Sequence, residues 1–343
     1  PCTVNGAIES SSDVDVFEFH GSKGTKFVAE VLARRLDSPL DSTITLTDRK
    51  GTVVAENDDH EDRSAGLLTH HADSYIRCEL PNTGVYRLQI RDIQGKGGVD
   101  YAYRLRLSKP RPDFELRIVP SRISVPMGGS TPITVHVLRK DGFDGPVSIG
   151  LKRNHEGLLA LEGEVPSGAD SARLTISARG RSRPRTLKAE IVGSAEIDGS
   201  RVTRHGVPAD DRMQAFLWRF LVPAKELVMN VRLPDKVAIV PKLGRNQCLR
   251  ISAGDSASLT VTLQAKGKTP QGVMTLGLDD PPAGISMEPV DVTGKDKQAR
   301  LMIAADEEIV EIGQKGYLIV AGHGGKRNLL LGMTRAIPYE IVE

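Results

Sequence analysis

Apolar residues in this chain recur at every second position over short stretches: Ile44 and Leu46; Tyr86, Leu88 and Ile90; Tyr103, Leu105 and Leu107; with Val14, Val16 and Phe19 as an earlier, less regular run. Successive side chains of a strand point to opposite faces, so this period predicts half-buried strands. Turn-forming clusters at 21–24, 48–51, 81–84 and 95–98 separate the runs, as an antiparallel β domain requires. Lys109-Pro110-Arg111-Pro112 then stiffens the chain and removes two backbone donors, which suits a linker and places a first boundary after residue 109.

The remainder contains an internal repeat. "GPVSIGL" (145–151) is similar to "GVMTLGL" (272–278), and "SARLTISA" (171–178) to "QARLMIAA" (298–305). Leu151 and Leu278, Gly157 and Gly284, and Ala172 and Ala299 are each 127 residues apart, and Ile191-Val192 stands 128 before Ile319-Val320. An offset of 127 at three points and 128 at a fourth, as a single loop insertion would produce, predicts two copies of one β domain. Each opens on a glycine turn and a period-two strand: Met127-Gly128-Gly129 before Ile133, Val135 and Val137, and Ala253-Gly254-Asp255 before Leu259, Val261 and Leu263. Short strands at this spacing read as immunoglobulin-like sandwiches, without the Cys…Trp…Cys signature of antibody domains. Between the copies, Asp210-Asp211 followed by Met213, Phe216, Leu217 and Phe220, with Pro223 as a stop, predicts a short amphipathic helix. It carries the only tryptophan, Trp218, either an exposed partner anchor or a plug between domains. The expected architecture is all-β: three tandem β-sandwich domains, a jelly-roll-like one at 1–109 and immunoglobulin-like ones at 110–209 and 227–343, with a connector helix at 210–226.

Composition narrows the classes. The 343 residues suffice for two or three domains. With 39% hydrophobic and 26% charged residues the chain is no collagen, coiled coil or disordered tail. A net charge of +2 gives no field to gather nucleic acid or an anionic membrane, and no apolar run is long enough to span a bilayer. Pro1 in place of a methionine is expected of a cut or processed chain, with any signal peptide upstream. The three cysteines fit neither a disulfide scaffold nor a zinc site of C-x2-C pairs; Cys2 and Cys78 could pair if their strands are neighbours, and are otherwise buried or free thiols.

The densest polar cluster is 56–62, Glu-Asn-Asp-Asp-His-Glu-Asp. A hard cation such as calcium takes six to eight oxygens, and this loop could supply several from Asn57, Asp58, Asp59 and Asp62, with Asp41 and Asp73 added if the fold brings them close. The spacing is not that of an EF-hand, and the alternative is a solvated acidic turn. His60, His70 and His71 do not make a zinc site, because His70 and His71 would point to opposite faces of a strand and no H-E-x-x-H occurs. Asp13 and Asp15 share one side of a strand and either bind something or cap a turn. "GDSAS" (254–258) lacks the second glycine of a nucleophile elbow, "GHGG" (322–325) reads as hairpin glycines, and "GKGG" (95–98) lacks the ending of a phosphate-binding loop. No catalytic residues are expected.

Residues 4–108 resemble the bacterial pre-peptidase C-terminal domain, related to the collagen-binding domains of secreted collagenases. The likeness rests on "VNGAI", "DVDVFEFHGSKGTKFVAEV", "LDSTITLTDRKGTVVAENDD", "SYIRCELPNTGVYRLQI" and "YAYRLRLS", in that order. The resemblance implies a β-sandwich module of exported, often peptidase-associated proteins, in which some members bind calcium at acidic residues. Asp58 and Asp59 match the family's Asp-Asp after its Asp-x-x-Gly turn, and Asp41 matches an acid before the preceding strand. The histidine-rich stretch 60–73 is longer than the family pattern, which puts the calcium geometry in question. The two repeats resemble immunoglobulin-like repeats found in tandem on bacterial surface and secreted proteins.

The expected function is a non-catalytic accessory, adhesion or spacer region of a larger exported protein, whether secreted, periplasmic or on the cell surface. Its first partner is the rest of its own polypeptide. The alternative is a calcium-assisted module for an extracellular polypeptide or polysaccharide; a hydrolase built on the histidines comes third.

Overall fold

The computed structural model describes residues 1–60, 73–153, 159–180, 183–213, 219–244, 247–265, 272–325 and 327–343. The first domain has strands β1 (Cys2–Ala7), β2 (Asp15–Gly21), β3 (Lys26–Leu32), β4 (Ser42–Asp48), β5 (Val53–Asn57), β6 (Tyr75–Glu79), β7 (Gly84–Asp92) and β8 (Ala102–Ser108). They form two four-stranded sheets, ordered β1-β8-β3-β6 and β2-β7-β4-β5. Eight strands dealt to two sheets in this order make a jelly roll. One core lies between the sheets: Phe27, Ala29 and Val31 of β3, Ile76 of β6 and Leu105 of β8 meet Ile44 and Leu46 of β4 and Tyr86, Leu88 and Ile90 of β7. On β7 the alternation is strict, with Arg87, Gln89 and Arg91 facing out.

On β2 the parity differs from the one suggested by Val14 and Val16. Both valines are exposed, and Asp15, Phe17 and Phe19 take the other face. Phe19 stacks on Phe27 and Tyr86, so burying two aromatic rings outweighs hiding two valines. Cys2 and Cys78 are unpaired thiols. They sit on β1 and β6, the opposite edges of one sheet, about 14 Å apart at ordinary strand spacing and far beyond disulfide reach.

The second sandwich comprises β9 (Asp113–Val119), β10 (Arg122–Pro126), β11 (Ser130–Lys140), β12 (Val147–Leu151), β13 (Leu159–Ala160), β14 (Glu162–Val165), β15 (Ser171–Ala178), β16 (Arg185–Ala189), β17 (Ile191–Ile197), β18 (Ser200–Met213), β19 (Arg219–Pro223) and β20 (Leu227–Arg232). The third comprises β21 (Val237–Lys242), β22 (Leu249–Ser252), β23 (Ser256–Ala265), β24 (Val273–Leu278), β25 (Ile285–Ser286), β26 (Val290–Thr293), β27 (Gln298–Ala305), β28 (Lys315–Leu318), β29 (Val320–Gly324), β30 (Leu329–Met333) and β31 (Ile337–Val342).

Apart from β19, which has no counterpart among the described strands of the third sandwich, the two are copies strand for strand. Sheet β13-β15-β11-β9 corresponds to β25-β27-β23-β21, and β14-β12-β17-β18 to β26-β24-β29-β30. A small sheet β10-β20-β16 corresponds to β22-β31-β28, and in both the first pair is parallel and the second antiparallel. β15 and β27 begin at Ser171 and Gln298, at the offset of 127 seen in the sequence. The copies differ where β9 also pairs in parallel with β18, joining the two larger sheets of the second sandwich. The sequence reading counts residue 227 onward with the third domain; in the hydrogen-bonding pattern β20 is the partner of β10 and β16.

Among the described residues of the expected connector helix, 210–213 and 219–223 are strand instead. Asp210–Met213 continue β18, and Arg219–Pro223 form β19, which pairs with it. A helix this short has little stability of its own, whereas β18 is already anchored on β17 and β9, so extending the ladder prevails. Met213 is exposed and Phe220 buried, which the helical face would have placed together. Phe216, Leu217 and Trp218 lie outside the described residues. By contact density the chain divides into two compact units: one of 1–114, 138–143 and 212–222, the other of 115–137, 144–211 and 223–343.

Leu88 is fully buried at the centre of the jelly-roll core. Leu88→Ala is expected to lower the stability of the first unit by about 2–5 kcal/mol in equilibrium denaturation, through lost transfer energy plus the cavity left behind.

Candidate functional site

Among the described residues of the first unit, a connected network of charged side chains lies on the outer face of β8-β3-β6. Strand register places Arg106, Glu30 and Tyr75 in one row across those strands, while the flanking Ala29 and Val31 face the core. Arg106 reaches Glu30 Oε2 through Nε and Nη2, both at 2.8 Å. Arg35 Nη1 donates to Glu30 Oε1 at 3.1 Å, and its Nε to Asp73 Oδ2 at 2.7 Å. Asp73 also accepts the backbone N–H groups of Ala33, Arg34 and Arg35, which fixes the single 3-10 turn Arg34–Leu36.

Over this row lies Asp141, at the turn between β11 and β12. Its Oδ2 accepts Arg106 Nη1 at 2.8 Å and the Arg111 backbone N–H at 2.7 Å; its Oδ1 accepts Arg106 Nη2 at 2.9 Å and the Tyr75 hydroxyl at 3.0 Å. The turn needs its sequence. Asp141 has φ of 48° and Gly142 of 82°, and a Cβ on Gly142 would fall 1.2 Å from Arg77 Nη1. The Asp141 side chain is only 5% exposed. Burial works against its charge, but the bonds from Arg106, Arg111 and Tyr75 outweigh it and hold the carboxyl below the usual range. Burial, then the Asp141 charge, pushes the Tyr75 hydroxyl up; the bond to Asp141 chiefly raises Arg106. With all four acceptor directions of Asp141 engaged, the arrangement is a charge-assisted clamp, not a general acid or base.

Of the residues singled out as metal ligands, Asp41, Asn57, Asp58 and Asp59 flank the β4–β5 pair of the β2-β7-β4-β5 sheet. β4 and β5 pair with Ile44 opposite Asn57, the last residue of β5; Asp58 and Asp59 follow it in the chain, and Asp41 precedes β4. Their polar atoms have local partners. Asn57 Oδ1 accepts the Tyr75 N–H at 2.8 Å and its Nδ2 donates to the Asp59 carbonyl; Asp58 Oδ1 accepts the Asp59 N–H. Asp41 Oδ2 accepts Gln94 Nε2 at 2.7 Å, while the Asp41 N–H donates to Asp92. The His60 ring lies 4.6 Å from that of Tyr75. Asp62, His70 and His71 are outside the described residues. Among the described residues no three His, Cys, Asp or Glu converge on a metal position.

The other motifs have structural roles. Asp13 accepts the Glu9 N–H, and Asp15 accepts the Tyr103 hydroxyl. Gly254 sits in the turn before β23 with φ of 77°. Gly322 and Gly324 lie within β29 itself and not in the hairpin loop, and their lack of side chains admits Met274 and Leu331. Gly98 donates its N–H to the Ile8 carbonyl.

In the second unit the two copies are docked side by side. Arg173 of β15 bridges Asp279 at 2.6 Å and Asp280 at 3.2 Å. The Glu164 N–H donates to the Tyr317 hydroxyl at 2.9 Å, and the Ala336 N–H to Thr175 Oγ1 at 2.8 Å. The sequence reading missed both this seam and the Asp141 clamp, although Asp141-Gly142 is legible as a turn.

Because the Asp141 carboxyl is depressed in the fold, its contribution is present above the ordinary carboxylate range and is lost as pH falls through the lowered value. Asp141→Asn is expected to cost the first unit about 1–3 kcal/mol at pH 7. The gap from wild type should close as denaturation is repeated from pH 5 downward.

No family model matches the chain, and no curated protein does. Among solved structures it is similar to domains 5–6 of the S-layer protein SbsC, at 12% identity over 68% of this chain and 99% of that one, with a TM-score of 0.26. A structure of SbsC domains 4–9 matches at 10% identity over 87% and 47%, TM-score 0.28. Titin immunoglobulin tandem domains match at 10% over 67% and 95%, TM-score 0.17. At such scores these likenesses carry no argument, and the assignment to tandem β-sandwiches rests on the strand pairing itself.

Proposed function

We propose that the chain is a non-catalytic spacer or adhesion-type region of a larger exported protein, with a module like the pre-peptidase C-terminal domain followed by two docked immunoglobulin-like repeats. The observation that carries this reading is the seam between the repeats. A spacer must hold its modules at a fixed angle, and Arg173 gripping two carboxylates, with two hydrogen bonds beside it, supplies directional contacts that a flexible linker lacks. Its partners are the rest of its own polypeptide and, at the cell exterior, a protein or polysaccharide. No helix among the described residues is long and apolar enough to cross a membrane. Spin labels at Ser148→Cys and Met302→Cys, with the three native cysteines replaced by serine, should give one narrow distance distribution, broadened by Arg173→Ala. A broad distribution before that substitution would remove the rigid-spacer reading.

The calcium-assisted module is a second reading, motivated by the run Asn57, Asp58 and Asp59 at the end of β5 and by Asp41 just before β4, the strand that pairs with β5. A cation there would have to replace the local bonds of Asn57 and Asp41. Calcium at about 100 times its dissociation constant should add about 2.7 kcal/mol of stability. The resulting rise in melting temperature should vanish with chelator and in Asp58→Asn/Asp59→Asn; an unchanged melt sinks this reading.

A further inference from the structure

The third sandwich has a cavity that its twin lacks the residues to form. Its volume is about 400 Å³, at the end of the sandwich where β21, β23 and β24 meet the β26–β27 turn. Val237, Leu263, Met274 and Leu331 supply its apolar lining, and Lys295 and Lys297 stand among its lining residues on the turn. Lys297 immediately precedes β27, whose inward row is Ala299, Leu301 and Ile303, and it is exposed at the rim of the cavity. No carboxylate among the described residues pairs with either lysine. Asp296, between them, also lines the cavity, and its Oδ2 accepts the Thr293 N–H at 2.7 Å and the Thr293 hydroxyl at 2.8 Å.

The second repeat provides a built-in comparison. The first buried residue of β9 is Phe114, whereas that of its counterpart β21 is Val237. After β11 the chain delivers Phe143, which is buried and stacks on Phe114 with ring centroids 5.5 Å apart. The matching stretch of the third repeat, 266–271, contains no aromatic residue in its sequence. The charge is inverted as well. The Val137 N–H donates to the Asp170 carbonyl in the second repeat as the Leu263 N–H does to the Lys297 carbonyl in the third, so Asp170 and Lys297 occupy the same position. Two phenylalanines and an acid in one copy have become an aliphatic cavity and a base in the other.

We propose that this end of the third sandwich binds a small amphiphile with one anionic group, such as a medium-chain carboxylate, its chain among Val237, Leu263, Met274 and Leu331 and its head beside Lys295 and Lys297. The volume lies within the range of small-molecule pockets. An apolar cavity of about 150 Å³ already admits benzene, so this one accommodates a chain on the order of ten carbons. The two unpaired ammonium groups select the sign of the head. The site is independent of the spacer reading and would stand if that reading failed.

Octanoate titrated into the intact chain by calorimetry should bind saturably at one site, and 1-octanol more weakly. Lys297→Asp, which installs the charge of the twin at an exposed position, should weaken octanoate roughly tenfold and leave octanol unchanged. Met274→Phe, with its melting temperature measured alongside, should abolish both by filling the cavity. The proposal is overturned if octanoate gives no saturable heat, if Lys297→Asp binds it as well as wild type, or if a folded Met274→Phe protein still binds. Should Met274→Phe not fold, the comparison of octanoate with octanol on Lys297→Asp decides alone.

Discussion

Each sheet in this chain has one face that must be hidden, and the parity of every strand follows from that demand. A slip of one residue would turn the buried row of a strand out to solvent, so register is held where the inward residues are large. On β2 the deciding residues are Phe17 and Phe19, not the valines beside them, and Asp15 is carried inward with them. The cost of placing a carboxylate there is met by the Tyr103 hydroxyl, whose own proton is held more tightly through burial and that bond. The same parity turns Glu30, Arg106 and Tyr75 outward into a single row.

That row shows how charge can be half-buried without becoming reactive. Asp73, Arg35, Glu30, Arg106 and Asp141 alternate in sign, each touching the next. Every carboxylate is met by guanidinium or backbone donors before it is withdrawn from water, which is the condition under which such groups are tolerated. Asp141 is the member that depends most on local backbone, since it reaches the row only through a left-handed turn completed by Gly142. Perturbed ionisation here therefore reports a structural clamp. Perturbed groups often mark active sites, but the inference requires an open acceptor or donor, and Asp141 has none left.

The two repeats share a strand plan while their ends have diverged. Core positions such as Leu174 and Leu301 are equally buried, and both copies keep the unusual parallel pair in the small sheet. Besides the added β9–β18 pairing, the copies diverge at the sandwich end, where Phe114, Phe143 and Asp170 stand against Val237 and Lys297. Loops and ends tolerate such exchange because few backbone hydrogen bonds depend on them. A duplicated domain can thus carry a stacked aromatic pair at this end in one copy and a cavity there in the other.

Period-two patterning alone determined that the chain is all-β, and a constant offset between local motifs determined that it contains a repeat, because both are properties of contiguous residues. The same local reasoning erred at 210–226, where a helical spacing was overridden by the continuing ladder of β18. The tertiary structure alone decided which strands are neighbours. It separated Cys2 from Cys78 by placing β1 and β6 at opposite edges, brought Asp141 to Arg106, and set Arg173 against Asp279 and Asp280. It also left a cavity at one sandwich end. Such pairings join residues far apart in the chain, and their energy depends on how whole sheets bury their faces, which no local spacing encodes.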